Sequence, residues 1–169
     1  VLIIDKGSLA SEASWAGGGI VSPLYPWRYC DAITALATWS QSSYVQLSQT
    51  LLETTGIDPE LRQKGLLMLS VADEGDALAW AQRCQRPMVK VEADFVHRLE
   101  PNLPGGSGQA LWMPEVSSIR NPRLGQALRR SLELHPNIEI QEHNPLMSFV
   151  RQGATIVAAN TRNGPLVAD

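Results

Sequence analysis

The sequence Val-Leu-Ile-Ile-Asp-Lys-Gly at residues 1–7, followed by Ala-Ser-Trp-Ala-Gly-Gly-Gly-Ile at 13–20, decides the fold. Four consecutive apolar residues are typical of a buried strand in a parallel sheet, and Asp5 would then lie at the carboxyl edge of that sheet. Residues 7–27 are rich in Gly, Ser and Pro and are predicted to form one long ordered loop. Loops of this length are uncommon unless they have a function.

An acidic residue at this edge has a known use in dinucleotide-binding folds. It accepts a hydrogen bond from a ribose 2′-hydroxyl, about 20 residues after a glycine-rich phosphate-binding turn. No such turn precedes Asp5, because the sequence begins within the strand. We therefore interpret the sequence as a piece of a cofactor enzyme that starts after the first strand and helix of the fold.

The composition is that of an ordinary globular protein. The 169 residues are 44% hydrophobic and 18% charged, with a net charge of −3, which argues against disorder and against nucleic-acid binding. No apolar run approaches the roughly 20 residues that span a bilayer, so no membrane span is predicted. Cys30 and Cys84 lack metal-ligand spacing, which favours a reduced, cytoplasmic protein without a metal site or disulfide framework.

Apolar periodicity predicts a long helix from about Tyr29 to Thr55, stopped by Gly56, with Trp39 and Tyr44 packed in the core. Acidic residues at 73–76 suit a helix N-terminus, and the pair at 129–130 suits a solvated helix face. The other predicted helices cover 74–86, 91–99 and 121–134. The other predicted strands cover 65–71, 110–113, 138–140, 146–151, 154–161 and 166–168, and a loop is predicted at 102–108.

Several motifs resemble, in order, the glycine oxidases of thiamine biosynthesis, which belong to the D-amino acid oxidase family of FAD-dependent oxidoreductases. The most specific runs are Glu-Ala-Ser-Trp-Ala-Gly-Gly-Gly-Ile at 12–20 and Ser-Pro-Leu-Tyr-Pro-Trp at 22–27. Thr-Gly-Ile-Asp-Pro at 55–59, Gly-Leu-Leu at 65–67 and Arg-Asn-Pro-Arg-Leu at 120–124 follow. The resemblance covers essentially the whole chain.

The resemblance implies an α/β fold, part of a Rossmann-like FAD-binding domain with an inserted α+β substrate domain, truncated at both ends. Residues 1–56 and 115–169 would belong to the FAD-binding domain, and residues 57–114 to the substrate domain.

The resemblance also implies a set of FAD-binding residues. Asp5 matches the acid that binds the adenosine ribose, and Leu146 matches a position whose backbone touches the adenine side. The matched segment along the pyrophosphate and the isoalloxazine ring consists of Ser14, Trp15, Ala16, Gly17, Gly18 and Gly19. The glycines lack a β-carbon, which permits a close approach of the backbone to the flat ring. Because a flavin carries the redox chemistry itself, no catalytic acid–base residue and no metal ligand are assigned.

The implied activity is oxidation of glycine or another small amino acid from amine to imine, with oxygen as the electron acceptor. Two alternatives remain: a D-amino acid dehydrogenase or sarcosine-type oxidase of the same family, and a non-catalytic domain that binds a partner. Residues 1–169 lack the family's glycine-rich turn and its substrate-binding arginine, so we expect this chain alone to bind FAD poorly and to be inactive. Open sheet edges would favour pairing with a second copy.

Overall fold

A computed structural model describes residues 1–104 and 108–167. The first strands are β1 (Leu2–Ile4), β2 (Ile20–Val21), β3 (Arg62–Gln63), β4 (Leu66–Leu69), β5 (Val89–Val91) and β6 (Ala110–Met113). They are followed by β7 (Ser117–Ser118), β8 (Glu139–Gln141), β9 (Leu146–Gln152), β10 (Thr155–Thr161) and β11 (Gly164–Leu166). The helices are α1 (Ala13–Ala16), α2 (Asp31–Thr55), α3 (Glu74–Arg83), α4 (Ala93–Leu99) and α5 (Asn121–Leu134), with a 3₁₀ turn at Pro26–Arg28.

The chain divides into two compact units. The first unit comprises Val1–Gly18, Gln49–Pro59 and Asn121–Asp169, and the second comprises Gly19–Ser48 and Glu60–Arg120. The predicted FAD-binding and substrate domains differ from these units in that they are defined by function. That division stays a prediction. Residues 105–107 of the predicted loop and Ala168 of the last predicted strand lie outside the described residues.

In the first unit, β1 pairs in parallel with β8, as the opening sequence predicts. The pairing continues one residue further, because the Asp5 N–H donates to the Gln141 carbonyl over 3.1 Å. The predicted burial is wrong for the start of the strand: Leu2 is 38% exposed. The reason is that β1 has only one hydrogen-bonded neighbour among the described strands.

The rest of the first unit is built from α5 and an antiparallel meander. The predicted helix at 121–134 is confirmed, and Gly125 lets it lie against the loop before α1, where a β-carbon would stand 2.9 Å from that of Ala10. Strands β9, β10 and β11 form the predicted meander. The third strand runs from 164 to 166 rather than to 168.

The predicted long loop at 7–27 is only partly a loop. It contains α1, β2 and the start of the 3₁₀ turn. These elements are two to four residues long, and β2 exists because it pairs with β7, about a hundred residues later in the chain. A local sequence pattern carries no signal for such a distant partner.

The second unit contains two small antiparallel sheets, ordered β2-β7-β3 and β4-β6-β5. Its main core cluster consists of Met68, Ala77, Trp80, Ala81, Met88, Leu111, Met113 and Val116. The predicted strand at 110–113 is confirmed, whereas β5 was not predicted and the helix expected from residue 91 begins at Ala93. Only pairing with β6 identifies residues 89–91 as a strand.

Helix α2 begins at Asp31 and stops at Gly56, whose φ of +74° ends the helical backbone. The prediction that Trp39 lies in the core is wrong, since this residue is 69% exposed. Tyr44 is half-buried. The less exposed stripe of α2 includes Thr34, Ala37, Gln41, Tyr44, Ser48 and Leu51. Small and polar residues therefore face inward over much of this helix, which apolar periodicity could not indicate.

Asp73, the residue before α3, does not cap that helix with its side chain. Its carboxylate instead accepts two hydrogen bonds from Arg28, at 2.8 and 2.7 Å, and one from the Trp27 indole N–H at 2.7 Å. The hydrogen bonds from Arg28 and Trp27 hold the pKa of Asp73 well below its usual range. This cluster ties the 3₁₀ turn to the start of α3.

Candidate functional site

The first unit holds a cavity of about 570 Å³ beside the end of β1, which we call the Asp5 cavity. It is lined by Ile4, Asp5, Lys6, Ser8, Ala10, Ser11, Glu12, Ala13, Ser14, Asn144, Pro145 and Leu146. Three residues predicted as cofactor-binding, Asp5, Ser14 and Leu146, thus line one cavity. They come together because the turn after β8 lies beside the turn after β1.

The Asp5 carboxylate is fixed at the end of the parallel strand. Its Oδ1 accepts the Gly7 N–H over 2.7 Å, and its main-chain carbonyl accepts the Asn144 N–H over 2.8 Å. The residue is half-buried. Oδ2 has no hydrogen-bond partner among residues 1–104 and 108–167. Asp5, which lines the cavity, therefore has one carboxylate oxygen that is able to accept a hydrogen bond from a ligand hydroxyl.

Asn144 holds this end of the unit together, and the sequence did not single it out. Its side chain is fully buried. The amide Nδ2 donates to Gln141 Oε1 over 2.7 Å, and Oδ1 accepts the Asn163 N–H over 3.0 Å. One side chain thus connects β8 with the turn between β10 and β11. The only sequence signal for this role was that Asn144 is a polar residue that follows a predicted strand and directly precedes Pro145.

A second fixing interaction involves Glu142, which accepts the Leu9 N–H over 2.7 Å. Arg129 donates to both carboxylate oxygens of Glu142, at 2.9 and 2.8 Å. Hydrogen bonding to Glu133 and the negative charge of Glu142 raise the pKa of Arg129. Arg130 and Arg129 lie on the predicted solvated helix face, with side chains 49% and 41% exposed, and Arg129 in addition forms this ion pair. Its guanidinium holds Glu142 in place beneath the loop that borders the Asp5 cavity.

The segment at 14–19 lies mostly outside the cavity. Within the described residues, Ser14 lines it, whereas Trp15, Ala16, Gly17, Gly18 and Gly19 do not. Trp15 is 49% exposed at the end of the first turn of α1. Gly19 has a φ of +73°, whereas Gly17 is extended at φ −62°. Left-handed backbone is thus used at Gly19 and not at Gly17.

Residue 17 has to be a glycine for a different reason, which is packing. A β-carbon there would collide with the side-chain amide of Asn121, the first residue of α5. Gly18 has no such neighbour within 4 Å. The first glycine of the run is therefore needed for packing within the first unit.

The remaining candidate ligands are dispersed. His97, His135 and His143 are exposed, and Cys30 and Cys84 are free thiols. Within the described ranges, no group of three His, Cys, Asp or Glu side chains is placed to hold a metal ion. None of the helices in those ranges combines the length and the hydropathy needed to cross a bilayer.

The Asp5 cavity fits the adenosine end of a dinucleotide by its chemistry. A carboxylate oxygen without a partner suits a ribose hydroxyl, and the hydroxyls of Ser8 and Ser14 offer both donors and acceptors. Ile4 and Leu146 supply apolar surface of the kind that a flat base can pack against. Lys6 pairs with Glu12 over 3.4 Å at the exposed side.

The comparisons with known proteins show which family the chain matches. The family described as FAD dependent oxidoreductase (DAO) matches residues 1–168. A glycine oxidase from Pseudomonas putida is 45% identical over 169 residues, which is all of this chain and 46% of that relative. The chain therefore spans about half the length of the curated relatives that it matches.

Solved structures give the same result. The glycine oxidase of Bacillus cereus superposes with a TM-score of 0.87 and 25% identity, covering 99% of this chain and 46% of that one. The L-proline dehydrogenase of P. horikoshii matches with a TM-score of 0.74 at 17% identity, covering 99% and 44%, which shows a shared fold. The predicted α/β fold class is confirmed by these matches.

Proposed function

The chain belongs to the FAD-dependent oxidoreductase family, and from that premise we propose that the whole protein oxidises glycine or another small amino acid with FAD. The family membership supports FAD as the cofactor. The 45% identity to a glycine oxidase supports a small amino acid as the substrate and oxygen as the electron acceptor. The observation that carries the proposal is the Asp5 carboxylate, which is fixed at the end of a parallel strand, lines a cavity and keeps one oxygen without a partner among the described residues.

In this proposal, FAD supplies the two-electron oxidation of the amine to the imine, and the residues of this chain bind and orient it. Asp5 accepts hydrogen bonds from the adenosine ribose, and the Leu146 backbone lies at the adenine side. The segment from Ser14 to Gly19 would hold the pyrophosphate and the flavin ring. Backbone N–H groups of that segment would stabilise negative charge on the reduced ring.

Absorbance and peroxide release by the whole protein test this function. We expect a yellow protein with a flavin spectrum that releases peroxide with glycine faster than with sarcosine or D-alanine. A protein that prefers sarcosine or a D-amino acid, or that reduces another acceptor instead of oxygen, would favour the related oxidase or dehydrogenase. A folded but colourless whole protein would contradict the proposal and favour a non-catalytic binding role.

We assign the FAD-binding role to residues 1–56 and 115–169 and the substrate role to 57–114. We further propose that residues 1–169 by themselves bind FAD poorly and are inactive, since the glycine-rich turn is the family's support for the pyrophosphate. Calorimetric titration of this chain with FAD measures the affinity. Micromolar or tighter binding would contradict this part of the proposal.

A role in thiamine biosynthesis and a cytoplasmic location are proposed from the resemblance to glycine oxidases. The first predicts that a deletion strain of the source organism grows only when thiamine is supplied. We also propose self-association through β9, an edge strand of its sheet on which Met147 and Phe149 are 68% and 53% exposed. Light scattering that shows a monodisperse monomer would contradict the association.

A further inference from the structure

The backbone at the end of the glycine run is held at both ends by hydrogen bonds from distant residues. This segment consists of Gly19, Ile20 and Val21 and belongs to the second unit. At one end, the Gly19 carbonyl accepts the N–H of the buried Ile119 over 2.8 Å. At the other end, the Val21 carbonyl accepts Nε2 of Gln41 over 3.0 Å. The position of the segment therefore depends on partners outside its own loop.

Gln41 lies on the less exposed stripe of α2, where an amide without partners would be costly. Both ends of its side chain are used. Nε2 donates to the Val21 carbonyl, and Oε1 accepts Nη2 of Arg86 over 3.1 Å. Because a carbonyl only accepts and a guanidinium only donates, these two partners fix the orientation of the amide.

Arg86 anchors the Gln41 amide to the helix. The same Nη2 donates to Thr38 Oγ1 over 2.6 Å, so the half-buried guanidinium joins two side chains of α2. Strand β2, which contains Val21, is two residues long and has only β7 as a neighbour among the described strands. The Gln41 hydrogen bond thus adds support that the sheet does not supply.

We propose that Gln41 is a positioning residue for the flavin. The inference rests on the proposed function, in which the segment from Ser14 to Gly19 holds the pyrophosphate and the flavin ring. Backbone N–H groups act on a bound ring only when they are held at a defined place. The hydrogen bonds from Arg86 to Gln41 and from Gln41 to Val21 would fix the backbone directly after that segment, without contact between Gln41 and the flavin.

Gln41→Glu separates the two hydrogen bonds of this side chain. A carboxylate keeps the contact with Arg86 and makes it an ion pair, but it has no N–H to donate to the Val21 carbonyl. In the whole protein without FAD, we expect hydrogen exchange of the backbone amides at 19–21 to accelerate about fivefold, which corresponds to the loss of one typical hydrogen bond. Gln49→Glu, an exposed change on the same helix, should leave this exchange unchanged.

The same variant should also change the bound flavin, which a merely structural residue would not do. We expect an altered visible circular dichroism spectrum of the flavin and a kcat with glycine that falls about tenfold, while KM changes little. Arg86→Gln removes the anchor and leaves the Gln41 amide able to donate to Val21. It should therefore give smaller changes in the same direction.

Two results would overturn the proposal. One is unchanged exchange at 19–21 in Gln41→Glu, which would mean that the Val21 hydrogen bond does not hold the segment. The other is faster exchange with an unchanged flavin spectrum and kcat, which would make Gln41 a structural residue only. In both cases the wild-type protein still binds FAD and oxidises the amino acid. A colourless wild-type protein would instead contradict the proposed function and, with it, the positioning of a flavin.

Discussion

The side-chain amide of Asn121 lies where a β-carbon of residue 17 would stand, so Gly17 and the start of α5 fit together only because residue 17 is glycine. This contact joins the glycine run to a long helix of the same unit. The run therefore has a packing role that is independent of any ligand.

Gly17→Ala should destabilise the protein by about 1–3 kcal/mol, because the added methyl group displaces the Asn121 amide. The free energy of unfolding from urea denaturation measures this. Gly18→Ala is the matched control, since nothing lies within 4 Å of its β-carbon position. Combining Gly17→Ala with Asn121→Ala should recover part of the loss. Equal effects of the two glycine substitutions would contradict the packing role.

Asp5→Asn should weaken FAD binding by the whole protein about tenfold or more, because a hydrogen bond to a charged acceptor is replaced by one to a neutral acceptor. The asparagine oxygen is still able to accept the Gly7 N–H, so the turn after β1 should persist. Calorimetric FAD affinity is the measurement. Asp94→Asn, at an exposed position of α4, serves as the control. Unchanged affinity in Asp5→Asn would show that the ribose is held elsewhere.

Asn144→Ala should reduce the free energy of unfolding by about 1–3 kcal/mol, because it removes a fully buried side chain and leaves the partly buried Asn163 N–H and Gln141 side chain without their partner. Asn160→Ala is the comparison, since it removes an exposed hydrogen bond to Ser148 and should cost less than about 0.5 kcal/mol. Similar losses in the two variants would mean that burial adds nothing to the Asn144 bonds.

Asp73→Asn should lower stability at neutral pH, and the deficit should shrink as the solution is acidified. The folded-state pKa of Asp73 is depressed, so its stabilising contribution is complete above the ordinary carboxyl pKa of about 4 and is lost on further acidification. The measurement is the difference in Tm between wild type and variant across this pH range. A difference that does not vary with pH would exclude the Arg28–Asp73 ion pair as its source.

The sequence predicted the elements with strong local patterns. The opening strand, the helices from about 29 and at 121–134, and the meander follow from apolar runs, helical periodicity and turn glycines. The short strands β2, β3 and β7 were not predicted, because they exist only through pairing with each other across the chain. The burial of α2 was mispredicted for a related reason: the residues packed against a helix, and not its own composition, determine which stripe is covered.

The sequence singled out three residues that line the Asp5 cavity. It did not single out the residues that hold the neighbouring turns in place. Asp5 follows a strand, which is a local signal, and family resemblance pointed to Ser14 and Leu146. Asn144 and Glu142 were missed because their partners are main-chain groups distant in sequence, such as the Asn163 and Leu9 N–H groups. Asp73 lies at the N-terminus of α3 as predicted. Its hydrogen bonds with Arg28 and Trp27 were missed, because those partners lie about 45 residues earlier in the chain.

The charges of the Asp5 cavity have a consequence for solution conditions. Its lining holds two carboxylates, Asp5 and Glu12, against the single ammonium of Lys6. If FAD binds there as proposed, its two phosphates would meet like charge as they approach. Dissolved ions screen such repulsion over about 10 Å at 0.1 M ionic strength. Moderate salt should consequently promote docking of the cofactor at this surface, the reverse of the behaviour of proteins that attract phosphates with basic side chains.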